Sequence, residues 1–150
     1  WDQLYRWMPW AHEVPTVEES REVSARMVQR VEALEDFPLR VFEKETNRFV
    51  LATGCHPRDW DVPTFEIGYW CRKSAQGKGY VTEAVRAIRD AAFEHMGARR
   101  VEIKLDPRNL ASKAVVERCG FLFEGELVHS SRTQHGELRN TLIYALTRPD

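Results

Sequence analysis

The segment Ser74-Ala75-Gln76-Gly77-Lys78-Gly79-Tyr80 follows an extended run, Phe65 to Cys71, and leads into a long helical pattern. A strand, two glycines one residue apart and a helix N-terminus together build an anion pocket. Glycines let the backbone approach a ligand closely, several N–H groups converge, and the helix end adds partial positive charge. Lys78 adds a cation, as do Arg72 and Lys73, and a pyrophosphate is the natural ligand. A P-loop would require G-x-x-x-x-G-K-[ST], whereas the spacing here is Gly-x-Gly. A dinucleotide-binding turn would require a third glycine where Thr82 stands. Taken alone, the two glycines would serve equally well as a plain tight connection.

A second element follows one helix and one strand later. It reads Asn109-Leu110-Ala111-Ser112-Lys113-Ala114-Val115-Val116-Glu117-Arg118-Cys119-Gly120-Phe121. Asn109 and Ser112 stand where a helix would begin after Asp106-Pro107, so helix capping is one use for them. The combination of "GYW", "QGKGYVTEA", "N-x-x-S-x-x-V-x-E-x-x-G-F" and the early "WMPWA" resembles the GNAT superfamily of N-acetyltransferases. Within it, the ribosomal-protein N-terminal (alanine/serine) acetyltransferase branch is the most similar. The resemblance extends over residues 1–147, and the family's opening strand and part of its first helix have no counterpart, as in an N-terminally incomplete domain.

The resemblance implies acetyl-CoA as co-substrate. Gln76, Gly77, Lys78, Gly79 and Tyr80 would receive its pyrophosphate through backbone amides, with Arg72 and Lys113 near the phosphates. The pantetheine arm would lie where strand 65–71 splays from strand 100–105, held by Asn109, with Ser112 facing the thioester sulfur. The family's usual Gln or Arg three residues before the first glycine is Ser74 here.

Acetyl transfer to an amine requires a neutral amine, stabilisation of an oxyanion and protonation of the departing thiolate. A backbone N–H around Trp70 or Cys71 would donate to the oxyanion, and Ser112 would donate to sulfur. Glu66, on the strand beside the gap, is the candidate base acting through a water; a salt-bridged surface carboxylate is the other reading of it. The branch often places an acid about nineteen positions beyond the serine, but Ser131 stands there and serine is no base at neutral pH. His129 is a further candidate, its ordinary pKa being about 6.5. Neither Cys71 nor Cys119 sits in a pattern that would make it a nucleophile.

Positioning these residues calls for a mixed α+β fold, a mostly antiparallel sheet flanked by helices, in the order α-β-β-β-α-β-α-β-β. Thr16 and Glu19 form a capping box, and Val23, Met27, Val31 and Leu34 recur at helical spacing, so 16–35 reads as an amphipathic helix that Pro38 stops. Runs 39–43 and 48–55 read as a hairpin around Glu45-Thr46-Asn47, and 56–64, with two prolines, as a loop. Val81, Ala84, Val85, Ile88, Ala92 and Met96 share one helical face, closed by Gly97. Val101, Ile103 and Leu105 alternate as a half-buried strand. Phe121–Val128 and Leu138–Thr147 read as strands joined around Gln134-His135-Gly136. Residues 1–12 hold Trp1, Trp7 and Trp10, with Pro9 ending any short helix before it; they read as a core plug or as the lip of an acceptor groove.

Composition bounds the function. A chain of 150 residues with 43% apolar and 30% charged side chains is one globular domain. Its 22 basic and 23 acidic residues leave a net charge of −1, against the basic excess that duplex binding requires. No apolar run is long enough to span a membrane. The three cysteines, Cys55, Cys71 and Cys119, lie far apart without C-x-x-C, as in reduced thiols of a cytoplasmic protein. Cys55-His56 is a lone ligand pair, so no metal is expected. The expected partner is an amine acceptor, a protein N-terminus first and a polyamine or aminoglycoside as the alternative, and the protein would be a monomer or homodimer. A catalytically weak CoA-binding regulatory module is the competing class.

Overall fold

The computed structural model describes residues 2–8 and 10–148; Trp1 and Pro9, singled out above, lie outside them. Two helices come first, α1 (Asp2–Trp7) and α2 (Val17–Glu32), followed by β1 (Phe37–Phe42), β2 (Phe49–Asp59) and β3 (Thr64–Cys71). A single 3-10 turn, Lys73–Ala75, connects to α3 (Tyr80–His95). Then come β4 (Arg100–Leu105), α4 (Leu110–Arg118), β5 (Leu122–Arg132) and β6 (Leu138–Thr147). The six strands form one sheet in the order β1-β2-β3-β4-β6-β5. Every neighbouring pair is antiparallel except β3 and β4. This is the mixed α+β fold that the alternating patterns call for.

The core follows from those patterns. Val85, Ile88 and Ala92 of α3 and Val116 of α4 are buried against Phe65 and Ile67 of β3 and Val101 and Ile103 of β4. Cys55 and Cys119 are buried in the same cluster, and all three cysteines are free thiols. Burial pushes the Cys55 thiol up to about 12, with the Asp36 carboxylate adding to the effect.

Four boundaries differ from the sequence reading, each for a local reason. Helix α2 ends at Glu32, where the Ala33 N–H bonds the Gln29 carbonyl and Leu34 turns to φ +57°, well before Pro38. Pro38 instead lies inside β1, an edge strand, where a missing N–H is tolerated. The stretch from His56 to Asp59 is strand rather than loop, pairing with β3 as far as Asp59 opposite Thr64. β1 pairs only as far as Cys55, so Pro57 has no ladder partner on that side to lose. β5 starts one residue later than expected and runs on to Arg132, through an irregularity at His129, whose φ is +52°.

The capping box of α2 is present: Thr16 Oγ1 accepts from the Glu19 N–H (3.2 Å) and Glu19 Oε2 accepts from the Thr16 N–H (2.7 Å). No side chain of α2 is fully buried, however, and Leu34 is 64% exposed. The helix is held instead through polar contacts. Arg30 pairs with Asp36 at 3.0 Å, and Arg40 of β1 donates to Ser24 Oγ at 3.0 Å.

Candidate functional site

β3 and β4 run parallel for only three pairs, Thr64–Arg100, Phe65–Val101 and Glu66–Glu102. Beyond Glu66 the two strands part, although β4 stays paired to β6 through Leu105. The result is a slot inside the sheet, with unpaired backbone of β3 along one side. Strand alternation assigns its surroundings: Phe65, Ile67, Tyr69 and Cys71 face the helices, and Glu66, Gly68 and Trp70 face the opposite side.

On the helical side, α4 brings Ser112 to the slot. Its Oγ lies 2.7 Å from the Tyr69 hydroxyl, which also approaches the Ser112 carbonyl at 3.4 Å. Burial pushes the Tyr69 phenol up to about 12, although the Ser112 hydrogen bond works in the other direction. Either hydroxyl can donate in this bond; with the phenol as donor to Ser112 Oγ, the serine proton is free to point elsewhere. Asn109 is the N-cap of α4, its Oδ1 accepting from the Ser112 N–H at 3.1 Å. Capping therefore belongs to Asn109, and the Ser112 hydroxyl takes no part in it. Lys113, the next residue of α4, is half-buried.

At one end of the slot the chain turns through Lys73–Ala75 into α3. Gly77 (φ +74°) and Gly79 (φ +86°) are both left-handed, and a Cβ built on either meets nothing within 4 Å. The glycines are therefore required by backbone conformation and border open space. Among the described residues no acceptor meets the N–H groups of Gly77, Lys78 and Gly79. Three N–H donors in succession before a helix, with Lys73 and Lys78 exposed nearby, fit a phosphate group. Arg72 is partly committed, donating to the Phe49 carbonyl at 3.2 Å. Tyr80 ties the turn to the β1–β2 hairpin by donating to the Glu43 carboxylate. Bonds from Thr46 and then Tyr80 hold Glu43 below the usual carboxylate range. Gln76 is exposed at the turn.

The opposite face is lined differently. The Trp70 ring stands 5.5 Å from Phe49 and 6.4 Å from Trp10, which is 55% exposed. The N-terminal segment also reaches the β5–β6 turn: Gln134 donates to the Met8 carbonyl at 2.6 Å, and Tyr5 meets the His135 ring at 6.0 Å. Trp7 lies under the Arg6 guanidinium at 4.7 Å. Trp10 thus reaches the β3 face through Trp70, while Tyr5 and Met8 contact the β5–β6 turn.

Glu66 lies on this face, but its Oε2 accepts from both Arg58 (3.2 Å) and Lys104 (3.1 Å). Lys104 also pairs with Glu102 at 2.8 Å, and Arg100 joins Glu102 (3.0 Å) to Glu124 (2.6 Å). Burial would raise the Glu102 carboxyl, but Lys104 and Arg100 outweigh it and hold it below the usual range. Ser131 Oγ accepts from Arg139 at 2.8 Å, and the His129 side chain is exposed on the edge strand. Cys71 Sγ–H donates weakly to the carbonyls of Val50 and Arg72, at 3.5 Å each, and burial pushes its thiol up, away from nucleophilic thiolate. The described residues contain no cluster able to hold a metal and no helix long and apolar enough to cross a membrane.

Sequence reasoning missed Tyr69, Glu43 and an Asp36–His56 pair. The first stands inside the "GYW" run, where strand alternation would have aimed it at the helices. The other two meet their partners only through tertiary contacts.

Comparison with known proteins places the fold and the family. The acetyltransferase (GNAT) domain family matches residues 1–122. The probable N-acetyltransferase YjcK of Bacillus subtilis is 31% identical over 142 residues, 90% of this chain and 75% of that protein. A ribosomal-protein-S5-alanine acetyltransferase from Vibrio fischeri superposes with a TM-score of 0.87 at 21% identity, covering 99% of this chain and 81% of its own. The ribosomal L7/L12 alpha-N-protein acetyltransferase RimL, solved with coenzyme A, superposes with a TM-score of 0.89 at 23% identity, covering 97% and 81%. With a matching domain over most of its length and a sheet parted in the same place that its sequence motifs imply, this chain belongs to the GNAT acetyltransferase family and is an acetyl-CoA-dependent N-acetyltransferase.

Proposed function

We infer that the acceptor is the α-amine of a protein N-terminus and that the β3–β4 slot is the reaction site of a single catalytic domain spanning the chain. The observation that carries this is the slot itself, entered from the helical side beside Ser112 and from the aromatic face beside Trp70. In this reading the donor's pyrophosphate rests on the N–H groups of Gly77 to Tyr80, the Gln76 N–H being bonded to the Lys73 carbonyl at 3.4 Å, with Arg72, Lys78 and Lys113 supplying charge. The Asn109 amide N–H₂, left over from capping, donates to the pantetheine arm. The Cys71 N–H on the unpaired edge stabilises the developing oxyanion; the Arg72 N–H bonds the Val50 carbonyl, and ladder alternation turns the Trp70 N–H to β2 as well. Ser112 gives its proton to the departing sulfur while Tyr69 holds the serine oxygen. Glu66, shared between two cations, is an electrostatic neighbour of the mouth.

A polyamine or aminoglycoside would call for carboxylates free to meet its cations. Glu66, Glu102 and Glu124 on the mouth side are already paired with Arg58, Lys104 and Arg100. That charge balance favours a peptide end, and ribosomal-protein N-termini are its natural candidates, since two similar structures are named as ribosomal-protein S5-alanine and L7/L12 alpha-N-protein acetyltransferases. A cytoplasmic location goes with this acceptor. The test is acetyl-CoA turnover over N-terminal peptides of ribosomal proteins, spermidine and an aminoglycoside. Peptide turnover at least tenfold above the polycations is expected; the reverse order would refute the assignment.

A further inference from the structure

We propose that His56, oriented by Asp36, is the general base that takes the proton from the acceptor amine. The proposal rests on the reading of the β3–β4 slot as the reaction site. Asp36 is 7% exposed, and both its oxygens are committed: Oδ1 to His56 Nδ1 at 2.5 Å and to the Phe37 N–H at 3.0 Å, Oδ2 to Arg30 at 3.0 Å. A carboxylate only accepts, so Nδ1 carries the proton and Nε2 of the neutral ring is the basic nitrogen. This is the arrangement by which a buried carboxylate fixes the tautomer and orientation of a working imidazole.

Position matters as much as tautomer. His56 pairs across β2–β3 with Glu66, on the face that also carries Gly68 and Trp70. Its ring leans over two glycines. A Cβ on Gly54 would sit 2.5 Å from Cε1 and 2.7 Å from Nε2, and one on Gly68 would sit 3.5 Å from Nε2. Gly68 is in the part of β3 where pairing to β4 has ended. Nε2 therefore stands over the β2–β3 seam, nearer Gly54 than Gly68, about one strand spacing of roughly 4.8 Å from the β3–β4 slot. The two glycines leave open the space a side chain would fill. Tyr69 and Ser112 occupy the other face, so base and acid flank the slot from opposite sides.

The step balances. Through one bridging water, His56 Nε2 takes a proton from the amine as the amine nitrogen bonds to the acyl carbon. The carbon–sulfur bond breaks, and the sulfur takes the Ser112 proton. Solvent then removes the His56 proton and restores that of Ser112. The charged groups facing the ring are Asp36, backed by Arg30 of α2, and Glu66 of β3, backed by Arg58 of β2 and Lys104 of β4.

The decisive variant is His56→Asn, whose amide can still donate to Asp36 but offers no basic nitrogen. It should lower kcat by about 100-fold, within the range of general base catalysis. The acid limb of the pH profile should disappear and acetyl-CoA affinity should stay unchanged. Exogenous imidazole should restore part of the activity of His56→Ala. In the protein without substrates, nitrogen NMR should find His56 protonated at Nδ1, and Asp36→Asn should shift it to the other tautomer. Should His56→Asn not fold, Gly54→Ala, which drives a methyl into the ring, should give the same loss of kcat. Near-normal kcat in His56→Asn, or a loss with an unaltered pH profile and no imidazole rescue, would overturn the assignment. If Ser112→Ala and Gly77→Val act as expected while His56→Asn does not, His56 alone is misassigned. If all three turn over normally, the slot is not the reaction site.

Discussion

Replacing Tyr69 by phenylalanine removes one hydroxyl and leaves the ring to fill its place on β3. What is lost is the 2.7 Å bond to Ser112 Oγ. A neutral hydrogen bond contributes about 1 kcal/mol net, and leaving a buried partner unsatisfied raises the cost to about 2 kcal/mol. At 1.36 kcal/mol per factor of ten, kcat should fall about 5- to 30-fold if the bond aligns Ser112 in the transition state. Removing the proton donor itself in Ser112→Ala should cost at least tenfold, and up to the 10²–10⁴-fold that general acid help supplies. Because Tyr69 acts only through Ser112, the double variant should be no slower than Ser112→Ala alone, a coupling that a double-mutant cycle reads directly. The assay is the initial rate of thiol release with acetyl-CoA and acceptor varied separately, and the acetyl-CoA KM should stay near wild type. Stability is a control: the cap is Asn109, so Asn109→Ala should cost about 1 kcal/mol of helix stability. Wild-type kcat in Tyr69→Phe, or losses that multiply in the double variant, would refute the reasoning.

Gly77→Val places a β-branched residue at φ +74° and a side chain in the open space before α3; calorimetry should record at least a tenfold loss of CoA affinity while circular dichroism stays native. Trp7→Ala and Trp10→Ala should raise the acceptor KM more than the acetyl-CoA KM, since the N-terminal segment touches the mouth face through Trp70, and equal effects on both would return these rings to a structural role. Cys55, with an ordinary value of 9.0 and a folded value of about 12, contributes stability that is fully present below about pH 9 and lost as pH climbs through 12. The urea midpoint should therefore fall across that window, and Cys55→Ala should flatten the fall.

Much of the fold was legible because its periods are local. Alternation at Val101, Ile103 and Leu105, the helical stripe ending at Gly97, and the Gly-x-Gly turn each act within a few residues, and all recur in the structure. Where neighbours far along the chain decide, the sequence was silent or misleading. Pro38 and Pro57 read as breaks, yet each lies in a strand with no partner to lose on the relevant side. Asn109 and Ser112 were equally good caps by spacing; only the approach of Tyr69 from β3 separated the cap from the hydroxyl facing the slot. Glu66 was legible as a carboxylate beside the gap, but not the two cations from β2 and β4 that share its oxygen. His56 read as half of an incomplete metal pair. Its partner Asp36 lies twenty residues away, and the glycines that make room for its ring sit on two strands. The residue types able to do chemistry are written in the chain; which of them face one another is settled by strand register, and register is a property of the packed sheet.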